Sequence, residues 1–469
     1  MMKCFNLKCS FVLFLFLVCA SQLWAHDCQI DGIFYNLNKQ TQTAEVTYKE
    51  RPYSYYGEVH IPDKITFNGM DYTVTCIGDS AFCGCVQVKV TIPESVTKIG
   101  DYAFSKIQLS EIEFPQSIQE MGEYVFARCW LYSVTLPRNI TRIERGSFYK
   151  CNNLEEVNIP DGVKFIGDST FCDSKNLCDI NIPNAVESIG NYAFSGCESL
   201  TDINIPSSVE SIGSHAFRNC LRLRKIALPN SVRYLGEYAF YNCGSLETIA
   251  MSNNIQSIGK CTFTYCGSLQ TINIPGAATS VGQYAFSQCS QLQEVRILEG
   301  VQTIDRFAFN DCRKLSTVIF PCTMTKIEDY AFEGCNALSQ IYCYSAIPPE
   351  IGYHTVKQTD VGLGSGGFMV KAPRKYVEGL VSVSETFTEP TVKTGVLNVP
   401  YGSIESYRNA DFWHNFVNIT GFDTSQSLPV NAVIMPNSVE MKIYDINGVQ
   451  QDAPKRGLNI INGRKVLVE

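Results

Sequence analysis

Apolar residues return along the middle of this chain with a fixed period. Phe stands at 82, 104, 126, 148, 171, 194, 217, 240, 263, 286, 309 and 332, a spacing of 22 and then 23 residues held over twelve units. Such a period means one small unit stacked on copies of itself, because a unit this short cannot bury its own apolar face. From Phe194 the pattern runs Cys197, Leu200, Ile203, Ile205, Pro206, Val209, Ile212, Gly213 and Ala216 before Phe217 opens the next copy. Leu200-x-x-Ile203-x-Ile205 has the alternation of a strand with one buried face, and Pro206 ends it because proline cannot donate to a ladder. Gly213 begins a turn into Ser214–Cys220, a stretch too short for a standing helix and read as one helical or 3₁₀ turn. In the first three units proline falls eleven residues after the Phe (Pro93, Pro115, Pro137), and from Pro160 onward twelve after. The turn glycine is replaced at Glu144, Asp305 and Glu328 without loss of frame. The expected body is a right-handed solenoid of about twelve coils, each with one short strand and one helical or 3₁₀ turn. A stack of this kind is read by its long surface and has no inherent pocket.

Segments such as SIGNYAFSGCESLTDINIPSSV (188–209) and YLGEYAFYNCGSLETIAMSNNI (234–255) closely resemble the BspA-like leucine-rich repeats of bacterial surface proteins. The resemblance covers residues 57 to 345 and extends to a β-rich N-terminal cap at 26–50 and a closing segment at 397–422. It implies a leucine-rich-repeat solenoid in a secreted or surface-exposed protein of a Gram-negative anaerobe, acting in adhesion. The domain reading is a leader at 1–25, a β-rich cap at 26–75, the solenoid at 76–345 and a closing segment at 346–423 with an inserted loop at 350–396. A β-hairpin module follows at 429–469. Its two Asn-Gly hairpin signals, Asn447-Gly448 and Asn462-Gly463, lie among period-two strands. This tail resembles the terminal hairpins of C-terminal sorting domains on proteins exported by Bacteroidetes-type secretion machinery, though it is shorter than a complete one.

Composition adds export and removes some partners. Lys3 and Lys8, an apolar run from Phe11 to Ala20 and a small residue at Ala25 read as a cleaved secretory signal, too short to span a bilayer. Net charge is −8, and −10 once Lys3 and Lys8 leave with the leader, so nucleic acid and anionic membranes are not expected partners. Nothing in the chain is expected to supply a basic patch. Extracellular or cell-surface proteins are expected, with glycans as the alternative.

Twenty-one cysteines in an exported chain would ordinarily suggest a disulfide framework. Ten of them, Cys197, Cys220 and Cys243 included, instead sit three residues after the repeat Phe, in one column of the stack. Neighbours in a column are separated by the interstrand distance, wider than the ~3.8 Å between Cβ atoms that a disulfide needs. Small buried residues filling a corner are expected there, beside a core of Phe194, Phe217, Phe240 and Phe263. Off the column, Cys322 with Cys343 and Cys172 with Cys178 are candidate pairs.

No catalytic set emerges. The five histidines are scattered without metal-ligand spacing, and Gly362–Gly367 matches GxGxxG without the flanking strand and helix that give it meaning. No cofactor and no enzymatic activity are expected. Two surface columns are candidate binding sites. The first is the acid–Asn series Glu156 and Asn158, Asp179 and Asn181, Asp202 and Asn204, readable as a solvated face, a contact for a basic partner, or a Ca²⁺ site at Glu156, Asp179 and Asp202. The second is a tyrosine column that includes Tyr192, Tyr238 and Tyr284, readable as contact surface or as rings sealing the core edge. The expected function is a non-catalytic exported scaffold, an adhesin for matrix or other surface proteins. The alternative is a glycan-binding protein for nutrient capture.

Overall fold

A computed structural model describes residues 26–49, 54–352 and 386–424, together with the backbone of short strands at 354–356, 381–383, 443–445, 450–451, 457–461 and 464–468. The leader at 1–25 and Gly362–Gly367 lie outside the described residues. Residues up to Phe422 form one compact unit and those from Asp423 a second.

In the first unit each coil closes through three sides. The expected strand is present as a parallel ladder, for example Ser133–Thr135, Glu156–Asn158 and Asp179–Ile180. The ladder resumes from Thr271–Ile274 through Glu294–Ile297, Thr317–Phe320 and Gln340–Cys343 to Val396–Pro400 and Asn418–Phe422. A second strand, not foreseen from the sequence, follows the proline turn. Arg142–Ile143, Phe165–Ile166, Ser188–Ile189, Ser211–Ile212 and Tyr234–Leu235 form their own parallel ladder. Two residues are too few to show alternation, so only the stacking of coils reveals them.

The third side corrects the expectation of a helical turn. Among the described residues, the repeats contain no helix. Tyr192, Phe194 and Gly196 donate their N–H groups to Ser214, Ala216 and Arg218 of the next coil at 2.9, 2.8 and 2.7 Å. The residues between them, Ala193, Ser195 and Cys197, donate three residues back within their own coil. A helix keeps its interior N–H groups in its own segment. Here half go to the neighbour, which makes the turn side a third hydrogen-bonded seam. The alternation requires left-handed backbone at two columns, two residues before and two after the Phe: His215 at φ 60° and Asn219 at φ 59°, Tyr238 at 58° and Asn242 at 59°.

The Phe column is the spine of the core. From Phe82 to Phe332 every ring stacks on the next at centroid distances between 5.0 and 5.6 Å. Phe194, Phe217, Phe240 and Phe263 have no exposed surface. Below Phe82 the stack ends on Tyr55, and above Phe332 it continues onto Phe387 at 5.1 Å. The turn glycine allows this close stacking: a Cβ on Gly213 would lie 2.6 Å from the backbone of Gly190 and Asn191 in the preceding coil.

Cysteines of the column are free and buried. From Cys129 onward each thiol donates to the carbonyl of the Phe one coil earlier, as Cys197 to Phe171 at 3.3 Å, Cys220 to Phe194 at 3.2 Å and Cys243 to Phe217 at 3.1 Å. Ser174 occupies the same column and donates its hydroxyl to Phe148 at 2.7 Å. From Cys129 onward the column is therefore a ladder of small side-chain donors, while Ile107 fills the same place in the second coil with an apolar side chain. Cys172, Cys178, Cys322 and Cys343 are free as well, which corrects both candidate pairings. Cys322 lies against the Glu299 carboxylate, 3.0 Å away, while Cys343 is buried under the Tyr407 hydroxyl.

The ends are closed by different devices. Cys28–Ile30, Ile33–Asn38 and Thr43–Thr47 form an antiparallel sheet that pairs in parallel with Met70–Ile77 and so leads into the second ladder. Gly57–His60 already pairs with Val88–Thr91, so coiling starts inside the stretch 26–75. At the other end Glu350–Ile351 still extends the second ladder, and Phe387 and Val396–Pro400 supply the next coil. Both flanks of the expected loop 350–396 thus belong to the stack. Among the described residues α-helices appear only here, at Glu389–Thr394 and Ile404–Asn409. Trp413 covers the last coil and donates its indole N–H to Pro349 at 2.7 Å.

In the second unit Gln450–Gln451, Ile443–Asp445, Gly457–Ile461 and Arg464–Val468 form an antiparallel sheet in that order. The two Asn-Gly pairs fall between these strands, outside the described residues.

Candidate interaction surface

The first ladder turns alternate side chains inward, so the residues flanking each central Val or Ile face solvent. Glu156, Asn158, Asp179, Asn181, Asp202 and Asn204 are all exposed. Glu156 and Asp179 are direct partners on adjacent strands. Like charges there are relieved locally. The Asn158 amide donates to Glu156 Oε1 at 3.0 Å, and Lys225 Nζ lies 3.7 Å from Asp202 Oδ1 in the next coil. Among the described residues, no three His, Cys, Asp or Glu side chains come together as a metal site. Glu156 turns to Asn158 and Asp202 to Lys225, each one coil from Asp179, so no such set is assembled for Ca²⁺ among these three.

The tyrosine column lies on the turn side, at the first left-handed position. Tyr192, His215 and Tyr238 stack face to face, with centroids 4.4 and 4.7 Å apart and planes within 6° and 9°. Tyr284, Phe307 and Tyr330 form another stack at 4.8 Å spacing. Cys261 occupies the column between them, so Tyr284 does not join Tyr192 and Tyr238. Stacking covers both faces of His215 and Phe307 and one face of each of Tyr192, Tyr238, Tyr284 and Tyr330.

Around the first stack the structure gathers residues that the sequence reading missed. Tyr241 packs against Tyr238 at 5.7 Å and against Tyr265 at 5.6 Å, and the Arg218 guanidinium lies 5.3 Å above the Tyr241 ring. Tyr241 follows the repeat Phe directly and Tyr265 occupies the second left-handed position. They belong to different columns, so no single periodic reading finds the pair. The signal available was local density: five of the residues Tyr238 to Tyr265 are aromatic. Tyr265 is 47% exposed and Tyr192 37% exposed. Burial, and secondarily the Arg218 charge, hold the His215 imidazole below its ordinary value, so it sits in the stack as a neutral ring. A hydrogen bond with Cys261, followed by burial, pushes the Tyr238 phenol up to about 12. The Tyr238 hydroxyl therefore stays protonated at neutral pH. The arrangement offers aromatic edges, phenol donors and one guanidinium over a continuous patch, a composition enriched at protein-recognition surfaces.

The repeat family described as BspA type leucine rich repeat region matches residues 75–201, 165–292 and 256–361. The chain belongs to this family. Among solved structures, a leucine-rich repeat protein from Bacteroides ovatus is 26% identical, covering 85% of this chain and 100% of its own, with a TM-score of 0.59. A leucine rich cell surface protein from Faecalibacterium prausnitzii is also 26% identical, over 67% of this chain and 94% of its own, with a TM-score of 0.39. One from Eubacterium ventriosum is 25% identical over 65% and 93%, with a TM-score of 0.44. No curated protein matches the chain. Among the described residues, no helix is long and apolar enough to cross a membrane.

Proposed function

We propose that this BspA-type repeat protein is an exported, non-catalytic scaffold that recognises other proteins at the cell surface, acting as an adhesin for matrix or surface proteins. The observation that carries the reading is the cluster of Tyr192, His215, Tyr238, Tyr241 and Tyr265 with Arg218 on the turn side. Large rings held in place by stacking lose little entropy when a partner covers them, and their edges and hydroxyls suit a peptide surface. The apolar segment ahead of His26 supports export, and the strand-bearing tail supports delivery by a sorting route. Glycan capture by the stacked columns is disfavoured, because a sugar ring needs an open aromatic face and stacking takes at least one face of every ring in them.

The test exposes the purified chain from His26 onward to a panel of extracellular-matrix proteins and to a glycan array in parallel. Saturable binding to a matrix protein, weakened at least tenfold by Tyr241→Ser with Tyr265→Ser at unchanged melting temperature, supports the reading. Binding to glycans alone, or matrix binding indifferent to both substitutions, contradicts it.

A further inference from the structure

In the second left-handed column, two residues after the Phe, Gly84 is followed by Lys106, Arg128 and Lys150 in consecutive coils, at φ 59°, 61° and 58°. Their N–H groups make equivalent bonds to Ala127, Tyr149 and Cys172 of the next coil, so the three side chains leave the same corner in register. The rungs beneath them are 5.5 and 5.6 Å apart, measured between the rings of Phe104, Phe126 and Phe148. The fold does not demand a cation here. The same column later holds Asp173, Gly196, Asn219, Asn242 and Tyr265. Lys150 has a counter-ion in Asp173 at 3.7 Å, whereas Lys106 and Arg128 are exposed with no carboxylate partner among the described residues. Like charges on adjacent rungs are unfavourable. In a chain of net charge −8, three together without full neutralisation leave room for an anion from outside.

The same corner carries two aromatic rings unlike those of the tyrosine column. Trp130 and Tyr132 flank the buried Leu131 and are 55% and 56% exposed. Neither stacks on another ring among the described residues, and more than half of each side chain is exposed. Trp130 lies two residues from Arg128, within ~7 Å along the chain.

We propose that Lys106, Arg128, Lys150, Trp130 and Tyr132 form a second binding site, distinct from the tyrosine cluster, that takes an acidic polysaccharide. Carboxylate or sulfate groups on successive sugars meet the row of cations along the coil axis. The apolar face of a sugar ring lies on Trp130 or Tyr132. Charge supplies attraction and the exposed rings supply the preference for a sugar chain over other polyanions.

The experiment titrates the full chain by calorimetry with heparin, with polygalacturonate, with neutral dextran and with duplex DNA. The variants are Lys106→Asn with Arg128→Asn, and Trp130→Ala. Asn suits left-handed backbone and already stands in this column at 219 and 242, so the first variant keeps the fold, which the melting temperature checks. The expected result is saturable binding to heparin or polygalacturonate that weakens with salt, falls at least tenfold in each variant, and exceeds DNA binding at least tenfold. The glycan that binds identifies sulfate or carboxylate as the recognised group. Absence of saturable binding to both, binding unchanged by Trp130→Ala, or DNA binding of equal strength overturns the proposal. Tyr241→Ser with Tyr265→Ser leaves glycan binding unchanged, which keeps this test separate from that of protein recognition.

Discussion

At the scale of single residues, the repeat is specified by what each side chain does for the coil beside it. Cys220 donates to Phe194 O, an acceptor that also takes the backbone N–H of Cys197 from its own coil. Cys220→Ala should therefore lose one of two bonds and cost about 1 kcal/mol in chemical denaturation, while Cys220→Ser should cost less because Ser174 makes the same bond. Burial raises the thiols of Cys197 and Cys220 well above the ordinary range. A thiol reagent at neutral pH should label exposed Cys178 in the native protein and reach the column only on unfolding. His215 gives a pH dependence. Its folded pKa lies below the ordinary 6.5, so the unfolded chain takes up the proton first as pH falls. Stability is full above that value and declines as pH drops through it, so the melting temperature should fall more steeply between pH 7 and 5 in the wild type than in His215→Asn. The periodic Phe, Cys and Tyr were all legible in the sequence. The thiol's partner was not, because it sits 26 residues back and is a backbone atom.

At the scale of elements, alternation between Leu200 and Ile205 gave the first ladder, and proline marked its end. The turn side was misread because local spacing cannot tell a helical turn from alternating intra-coil and inter-coil bonds. Left-handed backbone is the difference, and its occupants are mostly not glycine: Ser169 at φ 54° is one. Ser169→Gly should stabilise by up to about 1 kcal/mol, whereas Ser169→Val, β-branched at positive φ, should destabilise by about 1 kcal/mol or more. Phe217 stacks at 5.3 Å on both Phe194 and Phe240 with no exposed surface. Truncation in Phe217→Ala should cost about 3–5 kcal/mol, read from the denaturation midpoint.

At the scale of the first unit, a continuous ring stack from Tyr55 to Phe387 makes neighbouring coils one core and presents three long faces. Of the candidate sites, the acid–Asn series was found in the sequence and placed on the strand face, where it is solvated and holds no metal cluster. The aromatic cluster was half found: Tyr192 and Tyr238 share a column, while Tyr241, Tyr265 and Arg218 join them only across columns. The Lys106, Arg128 and Lys150 row was hidden by an acidic total. A matrix protein that binds the chain from His26 onward should be footprinted by amide hydrogen exchange. Protein recognition by the tyrosine cluster predicts new protection in the turns around Tyr192, His215, Tyr238 and Tyr265, and protection confined to the strand face around Glu156, Asp179 and Asp202 would contradict it.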